Sequence, residues 1–146
     1  MIKRWSLIAT AILLVVLFAA ACGGGGGSAA QGTPLPTLPA VPADYAGKQA
    51  PFNLTSSDVI SQGKTVYTAN CATCHGDDGK GDGPAASGLT PPPVDFSSPY
   101  VQSMPADFRF WRVNEGVPGT GMPAWKDILS ADQIWQVIAY EMSFAK

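Results

Sequence analysis

The sequence predicts an all-α domain in which a long N-terminal helix and a long C-terminal helix accompany a shorter middle helix and irregular connections. Two stretches, one that runs into Cys71 and one that follows Ser130, repeat apolar residues at the spacing of a helical face. The connections between them are rich in glycine and proline, which favours loops. A third observation is the run Cys71–His75, which lies where the first of these helices ends and predicts a chemical centre there.

The run Cys71-Ala72-Thr73-Cys74-His75 has the C-x-x-C-H spacing by which c-type haem is attached. The two thiols form thioether bonds with the haem vinyl groups, and the histidine that follows is held under the iron as proximal ligand. His75 is the only histidine in the chain, which makes an ordinary disulfide loop a poor alternative. A zinc site normally needs four nitrogen or sulfur ligands, and the sequence has one further cysteine, far upstream. A thioredoxin-like dithiol needs a βαβ pattern, which the sequence lacks. We therefore predict one covalent haem c, held by Cys71, Cys74 and His75.

Residues 1–21 have the pattern of an export segment, with two basic residues, a long apolar run and small residues at its end. Cys22 follows directly, which resembles a bacterial lipoprotein signal whose cysteine becomes the lipidated first residue. Ala19 stands where such signals usually have leucine. Ordinary signal-peptidase cleavage and an uncleaved anchor are the alternatives. Each version predicts a domain on the outer face of the cytoplasmic membrane, where c-type haem is attached.

Residues 22–54 are predicted to form the lipid-anchor site and a tether. Five consecutive glycines stand near the start of this segment, and five prolines are spread over residues 34–51. The segment shows no apolar periodicity. We expect no packed core in this segment and a globular domain that spans 55–146.

The charge of the chain excludes one class of partner. The formal net charge is −2, and seven basic and eleven acidic residues remain without Lys3 and Arg4. Because no basic stripe occurs, we expect no nucleic-acid binding. A ring of lysines for docking is not evident either.

The first helix of the domain is predicted to begin near Thr55–Asp58, which offers several N-cap candidates. Its apolar face contains Val59, Ile60, Gly63, Val66 and Tyr67. A glycine inside a helix costs roughly 1 kcal/mol relative to alanine. Gly63 therefore indicates a close crossing with another helix, with a tolerated surface glycine as the alternative.

Two loop segments follow His75. The stretch 76–84 resembles a calcium loop only superficially, since Lys80 stands at a ligand position and no glutamate closes the loop. We interpret it as a solvated loop. The segment Pro91–Pro93 has free carbonyl groups and no N–H donors. One of those carbonyls is a candidate acceptor for the His75 Nδ1–H group, which would fix the orientation of the ring.

The middle helix is predicted over Ala106–Glu115, with Gly116 as its stop. Candidate haem-pocket residues on it are Phe108, Trp111 and Val113. Arg109 and Arg112 lie on other sides and are candidates to reach the haem propionates, with a solvated helix face as the alternative for each.

The segment Gly116–Trp125 contains three glycines and two prolines and is predicted to be a shaped loop with Met122 at its tip. Without a second histidine, a methionine thioether is the common choice for the sixth iron ligand. Met122 is the best candidate, because a glycine-rich loop brings its sulfur to the iron. Met104 is possible, whereas Met142 lies in the last helix and is expected to fill the core. That helix opens with a capping box at Ser130.

With these features together, residues 57–144 resemble a class I cytochrome c domain. The residues that carry the resemblance are Gly63 and Tyr67, Cys71–Gly76, Gly79–Gly83, Pro91–Pro93, Gly116–Trp125 with Met122, and Ile134–Tyr140. The resemblance implies that the first and last helices cross at Gly63 with Tyr140 or Trp135. More weakly, the leader, the tether and the single haem look similar to the membrane-tethered monohaem cytochrome subunit of bacterial alternative complex III, a quinol-oxidising assembly.

The resemblance implies an electron-transfer module with His/Met-ligated iron, rather than an enzyme. It would accept electrons from a quinol-oxidising respiratory or photosynthetic complex and pass them to a soluble carrier or a terminal oxidase. The alternatives are a haem enzyme or gas sensor with an open sixth site, and a structural subunit with an idle haem. The sequence has no distal histidine and no obvious acid–base pair, which disfavours the open site.

Overall fold

The structure, a computed structural model, describes residues 36–145. The helices are α1 (Ser57–Asn70), α2 (Ala72–His75), a 3-10 helix (Ala86–Gly88), α3 (Pro99–Gln102), α4 (Ala106–Glu115) and α5 (Ala131–Met142). The described residues contain no β-strand, so the all-α prediction is confirmed. Within 36–145, no helix combines the length and the apolar character that a membrane span requires. The predicted leader and Cys22 lie outside the described residues.

Helices α1 and α5 cross at Gly63, where the lack of a side chain lets the two backbones approach. A Cβ atom at this position would lie 1.9 Å from the Gln136 carbonyl oxygen and 3.1 Å from Tyr140 Cβ. The predicted crossing of the first and last helices is therefore confirmed, with Tyr140 as the aromatic neighbour. Trp135 instead stacks on Phe110 of α4, with 4.2 Å between the ring centroids.

Helix α5 supplies the centre of the core. The predicted capping box starts it, since the Gln133 N–H donates to Ser130 Oγ and the Ser130 N–H donates to the Gln133 side chain. Ile134, Val137 and Ile138 are each exposed by 1% or less. Full burial of such side chains contributes roughly 1.5–3 kcal/mol each. The apolar face of α5 therefore holds α1 and α4 together.

The middle helix α4 has the predicted bounds, following Pro105 and ending at Gly116, whose φ of 70° belongs to the left-handed region. The single-turn helices α2 and α3 were not predicted. Four residues are too few to show a helical period in a sequence, so their formation depends on the surrounding chain.

The segment of residues 36–54, here called the N-terminal strap, joins the domain. The Tyr45 hydroxyl donates a hydrogen bond to the Glu115 carboxylate, and the Tyr45 ring lies 6.2 Å from that of Phe110. Further strap residues that pack against the core are Ala50, Phe52 and Leu54. The expectation that no part of 22–54 joins a packed core is therefore wrong for this segment, and the compact unit begins upstream of residue 55.

The helix crossing gives a first prediction. Gly63→Ala should lower the free energy of unfolding by about 1–3 kcal/mol, the range for overpacking, although alanine has the better helix propensity. Chemical denaturation of the haem-loaded protein measures this. Gly88→Ala is the matched control, because a Cβ atom there meets nothing within 4 Å. Unchanged stability of the Gly63 variant would contradict a tight crossing.

Candidate haem site

The C-terminal end of α1 delivers the C-x-x-C-H run to the interior of the domain. The Cys71 N–H donates to the Tyr67 carbonyl at 2.8 Å, and the His75 N–H donates to the Cys71 carbonyl at 2.9 Å. The run thus continues α1 into the single turn α2, in which residues three and four apart lie on one face. Cys71, Cys74 and His75 are each half-buried and line the same cavity.

The loop 76–85 wraps around α2 and fixes it. The Gly81 N–H donates to the His75 carbonyl at 2.8 Å, and the Ala85 N–H donates to the Thr73 carbonyl at 2.9 Å. A Cβ atom at Gly83 would lie 2.5 Å from two carbonyl oxygens of α2. The sequence predicted only a solvated loop here. The glycines are in fact required, since they let the loop satisfy carbonyls that a helix end leaves free.

The His75 ring is positioned mainly by stacking. It lies 4.6 Å from the Phe96 ring at an interplanar angle of 26°. Its Nδ1 atom is buried and has no hydrogen-bond partner among the described residues. Burial lowers the pKa of His75, an effect that a backbone group of Val94 opposes, so the imidazole stays in the neutral form that binds metals.

The predicted hydrogen bond from His75 Nδ1 to a carbonyl of Pro91–Pro93 is therefore not present. The Pro93 carbonyl faces the neighbouring loop instead. A Cβ atom at Gly81 would lie only 2.3 Å from the Pro93 oxygen. The Pro93 carbonyl thus packs against the loop that contains Gly81.

One cavity of about 340 Å³ collects the predicted site residues. Cys71, Cys74 and His75 contribute from α2 and the end of α1, and Met122 contributes from the loop after α4. Met104 lines the cavity as well. Met142 does not line it and is 36% exposed, so the expectation that it fills the core is wrong.

The loop that carries Met122 is held by its own hydrogen bonds. The Val117 N–H donates to the Met122 carbonyl at 3.1 Å, and the Met122 N–H donates to Thr120 Oγ1 at 3.2 Å. The Trp125 N–H donates to the Val113 carbonyl on α4 at 3.1 Å. The loop therefore forms a closed turn whose methionine is presented to the cavity by backbone bonds.

The middle helix supplies a further wall of the cavity. Phe108 and Val113 line it as predicted, together with Arg109 and Arg112, whereas Trp111 does not and packs edge-on against Phe108. The Arg112 guanidinium lies 3.8 Å from the centroid of the Trp111 ring. Sequence reasoning missed Glu141 of α5, which also lines the cavity and is buried.

The donor set and the surroundings fit a covalently bound haem. Cys71 and Cys74 are free thiols, and burial, with Glu141 and Cys74 acting in the same direction, raises the pKa of Cys71 to about 12. Two thiols beside a neutral imidazole, with a thioether on the same cavity, provide attachment and axial donors together. Apart from the donor set and five polar or charged side chains, the cavity is lined mainly by apolar and aromatic residues: Leu89, Phe96, Tyr100, Val101, Phe108, Val113, Val117, Trp125 and several prolines.

This fold and this site define a c-type cytochrome domain of class I. The family model described as "Cytochrome C oxidase, cbb3-type, subunit III" matches residues 58–140, more than half of the chain. The chain belongs to this family. Its domain is accordingly of the kind that carries covalently bound haem c and transfers electrons. A comparison with curated proteins found no match.

A comparison with solved structures found chains that are similar over part of their length. The Kuenenia stuttgartiensis reducing HAO-like protein complex Kustc0457/Kustc0458 contains a chain with a TM-score of 0.56 and 26% identity, over 70% of this chain and 53% of that one. Cytochrome cL from Methylophaga aminisulfidivorans has a TM-score of 0.49 and 19% identity, over 62% of this chain and 55% of that one. The KustC0563 c-type cytochrome has a TM-score of 0.49 and 24% identity, over 57% of this chain and 98% of that one. The chain spans about half the length of the first two.

The buried hydroxyl of Tyr67 gives a second prediction. It donates to the Gly76 carbonyl at 2.7 Å, directly after His75. Tyr67→Phe should destabilise the protein by about 1–3 kcal/mol, because a buried carbonyl loses its partner. Thermal unfolding of the haem-loaded variant measures this, with Tyr140→Phe, on the facing helix, as control. Equal stability of the Tyr67 variant and the wild type would contradict a structural role of this bond.

Proposed function

We propose that the chain is a membrane-tethered monohaem electron carrier whose iron is ligated by His75 and Met122. It accepts electrons from a quinol-oxidising respiratory or photosynthetic complex, as a subunit or a nearby partner, and passes them to a soluble carrier or a terminal oxidase. The observation that carries this proposal is the presence of His75 and Met122 on one cavity together with both cysteines of the attachment motif.

Each of these residues has a defined task in the proposal. Cys71 and Cys74 would hold the haem through thioether bonds, and His75 and Met122 would ligate its iron. When bound, the haem supplies a one-electron couple. The chain contributes orientation, through α2 and its wrapped loop, and an apolar enclosure that excludes water. Filled axial positions leave the iron no site for a substrate.

The rim of the cavity supports docking without charge complementarity. The lining residues that are exposed are all apolar: Pro39, Pro91, Pro92, Val94, Gly121 and Pro123. An apolar contact patch of this kind suits a protein partner that approaches a haem edge. The similar Kuenenia chain is part of a protein complex, which also supports a protein partner.

The tether supports work close to a membrane. Cys22 follows an export-type segment, and a glycine- and proline-rich stretch precedes the strap. A tether raises the effective concentration of a carrier near its partner, which compensates for a small docking patch. The suggestion of a quinol-oxidising complex rests on the similarity of this arrangement to the monohaem subunit of alternative complex III.

The axial assignment gives a third prediction. Met122→Ala should remove the sulfur-to-iron charge-transfer band of the oxidised protein and allow the reduced protein to bind carbon monoxide at neutral pH. The potential should fall by on the order of 0.1 V, because axial ligands set haem potentials over about 0.8 V. Visible spectra and redox titration measure these changes.

Met104→Ala is the matched control, because Met104 is also half-buried and lines the same cavity. It should retain the band and exclude carbon monoxide. A wild-type protein that binds carbon monoxide readily would contradict the proposal and favour a haem enzyme or gas sensor.

The lipid anchor gives a fourth prediction. The wild type should lie in the membrane fraction with lipid on Cys22 as its first residue, and Cys22→Ser should lose the lipid with its visible spectrum unchanged. Membrane fractionation and mass spectrometry of the mature N-terminus measure this. A membrane-bound wild type that keeps residues 1–21 would contradict the lipid anchor and indicate an uncleaved one, and a soluble wild type would indicate ordinary cleavage.

A further inference from the structure

A buried charged pair lies in the wall of the haem cavity. Arg109 of α4 is 4% exposed and Glu141 of α5 is 5% exposed, and both line the cavity. Arg109 Nη1 lies 3.8 Å from Glu141 Oε2. Glu141 is the one carboxylate among the cavity-lining residues within 36–145, and Arg109 and Arg112 are the cations there.

The two partners are unequally stabilised. Arg109 donates from Nη2 to the Val101 carbonyl and from Nε to the Met104 carbonyl, so its charge is supported by backbone oxygens. Nη1, which faces Glu141, is buried without a hydrogen-bond partner. Within the described part of the chain, the Glu141 carboxylate has a distant ion pair and no hydrogen bond. A buried carboxylate with so little support tends to take up a proton.

The pair lies at the attachment edge of the cavity. Glu141 is close enough to Cys71 to raise the pKa of its thiol. Because Arg109 is buried and donates to two backbone carbonyls, it is a poor candidate to hold a haem propionate. Arg112, which also lines the cavity, would be the candidate on this helix.

Other groups that face Glu141 do not titrate near neutrality. On α1, burial holds the pKa of Tyr67 well above its usual range, and Cys71 has no thiol proton once it forms a thioether. On α4, Arg109 remains charged. From α3, Gln102 approaches the Glu141 backbone carbonyl and is uncharged. Burial raises the pKa of Glu141 to about 7, although Arg109 acts in the opposite direction.

We propose that Glu141 is a proton-binding site that couples electron transfer to proton uptake. One electron arrives from the donor protein, and the Glu141 carboxylate takes one proton from solvent and becomes a carboxylic acid. The proton returns to solvent when the electron leaves. The Glu141 side chain keeps 7% exposure, through which a proton can exchange with solvent. This inference rests on the proposed electron-carrier function.

The sign of the coupling follows from electrostatics. The arriving electron removes one positive charge from the iron centre, and the carboxylate beside it loses that attraction. Proton affinity at Glu141 is therefore higher in the reduced protein, by about tenfold for charges about 12 Å apart at an effective dielectric constant of about 20. By linkage, the potential falls as pH rises through neutrality, and a tenfold difference corresponds to about 59 mV for a one-electron couple.

The test is a fifth prediction and uses the full haem-loaded protein. Redox titrations from about pH 5 to 9 should show a potential that falls between two plateaus in the wild type. Glu141→Gln should give one pH-independent potential through this range. Asp132→Asn is the matched control, because it removes a carboxylate from the exposed first turn of the same helix and should keep the wild-type profile.

Infrared difference spectroscopy supplies a readout that does not depend on the potential. Reduction of the wild type near neutral pH should produce the C=O band of a protonated carboxyl, and this band should be absent in Glu141→Gln. A flat wild-type profile, or a profile that persists in Glu141→Gln, would overturn the inference. If Glu141→Gln does not fold, a wild-type reduction spectrum without the carboxyl band would overturn it.

The failure of the inference and that of the proposed function are distinguishable. A reversible one-electron couple with the sulfur-to-iron band, but without pH dependence, refutes only the proton site. An iron centre that lacks this band and binds carbon monoxide refutes the His75/Met122 carrier itself.

Discussion

The close contact of α1 and α5 at Gly63 determines where everything after α1 lies. Because a backbone carbonyl of α5 occupies the space of a side chain, α1 has one position against the core, and its C-terminal end points to one place. The attachment run continues that end as α2, so the helix crossing fixes the positions of the two thiols and of His75. The loop 76–85 then closes over α2 with backbone hydrogen bonds.

The cavity is the space that these constraints leave between α2, α4 and the Met122 loop. A covalently attached haem completes the core that a small domain otherwise fills poorly.

Local signals in the sequence predicted the parts of the fold that depend on neighbouring residues. Each of these signals is a residue type that the local backbone needs. They are the capping box that starts α5 at Ser130, the glycine that ends α4 at Gly116, and the glycine in the apolar face of α1. Long-range contacts were not predictable in this way. Tyr45 has no periodic partners and joins the core only because Phe110 and Glu115 lie beside it. The absent His75 hydrogen bond is a second case, since the Pro93 carbonyl packs against the loop of Gly81, a contact that no local pattern reports.

The cavity combines two environments that serve different purposes. Around His75 and Met122 the lining is apolar, which excludes water and protects axial bonds from competing ligands. At the attachment edge lie the charged side chains of Arg109 and Glu141. Because they are buried, the proton affinity of Glu141 responds strongly to a change of one charge at the iron centre. In the proposed carrier, the first environment keeps the iron closed and the second adjusts its potential to the surrounding pH. The exposed apolar rim leaves one edge for an electron-transfer partner.

X-ray absorption at the iron edge of the haem-loaded protein measures directly whether the iron site is closed. Ligation by His75 and Met122 predicts five nitrogen ligands and one sulfur ligand in both the oxidised and the reduced protein, with the sulfur lost in Met122→Ala and kept in Met104→Ala. Five-coordinate iron, or a sixth ligand of nitrogen or oxygen in the wild type, would contradict it.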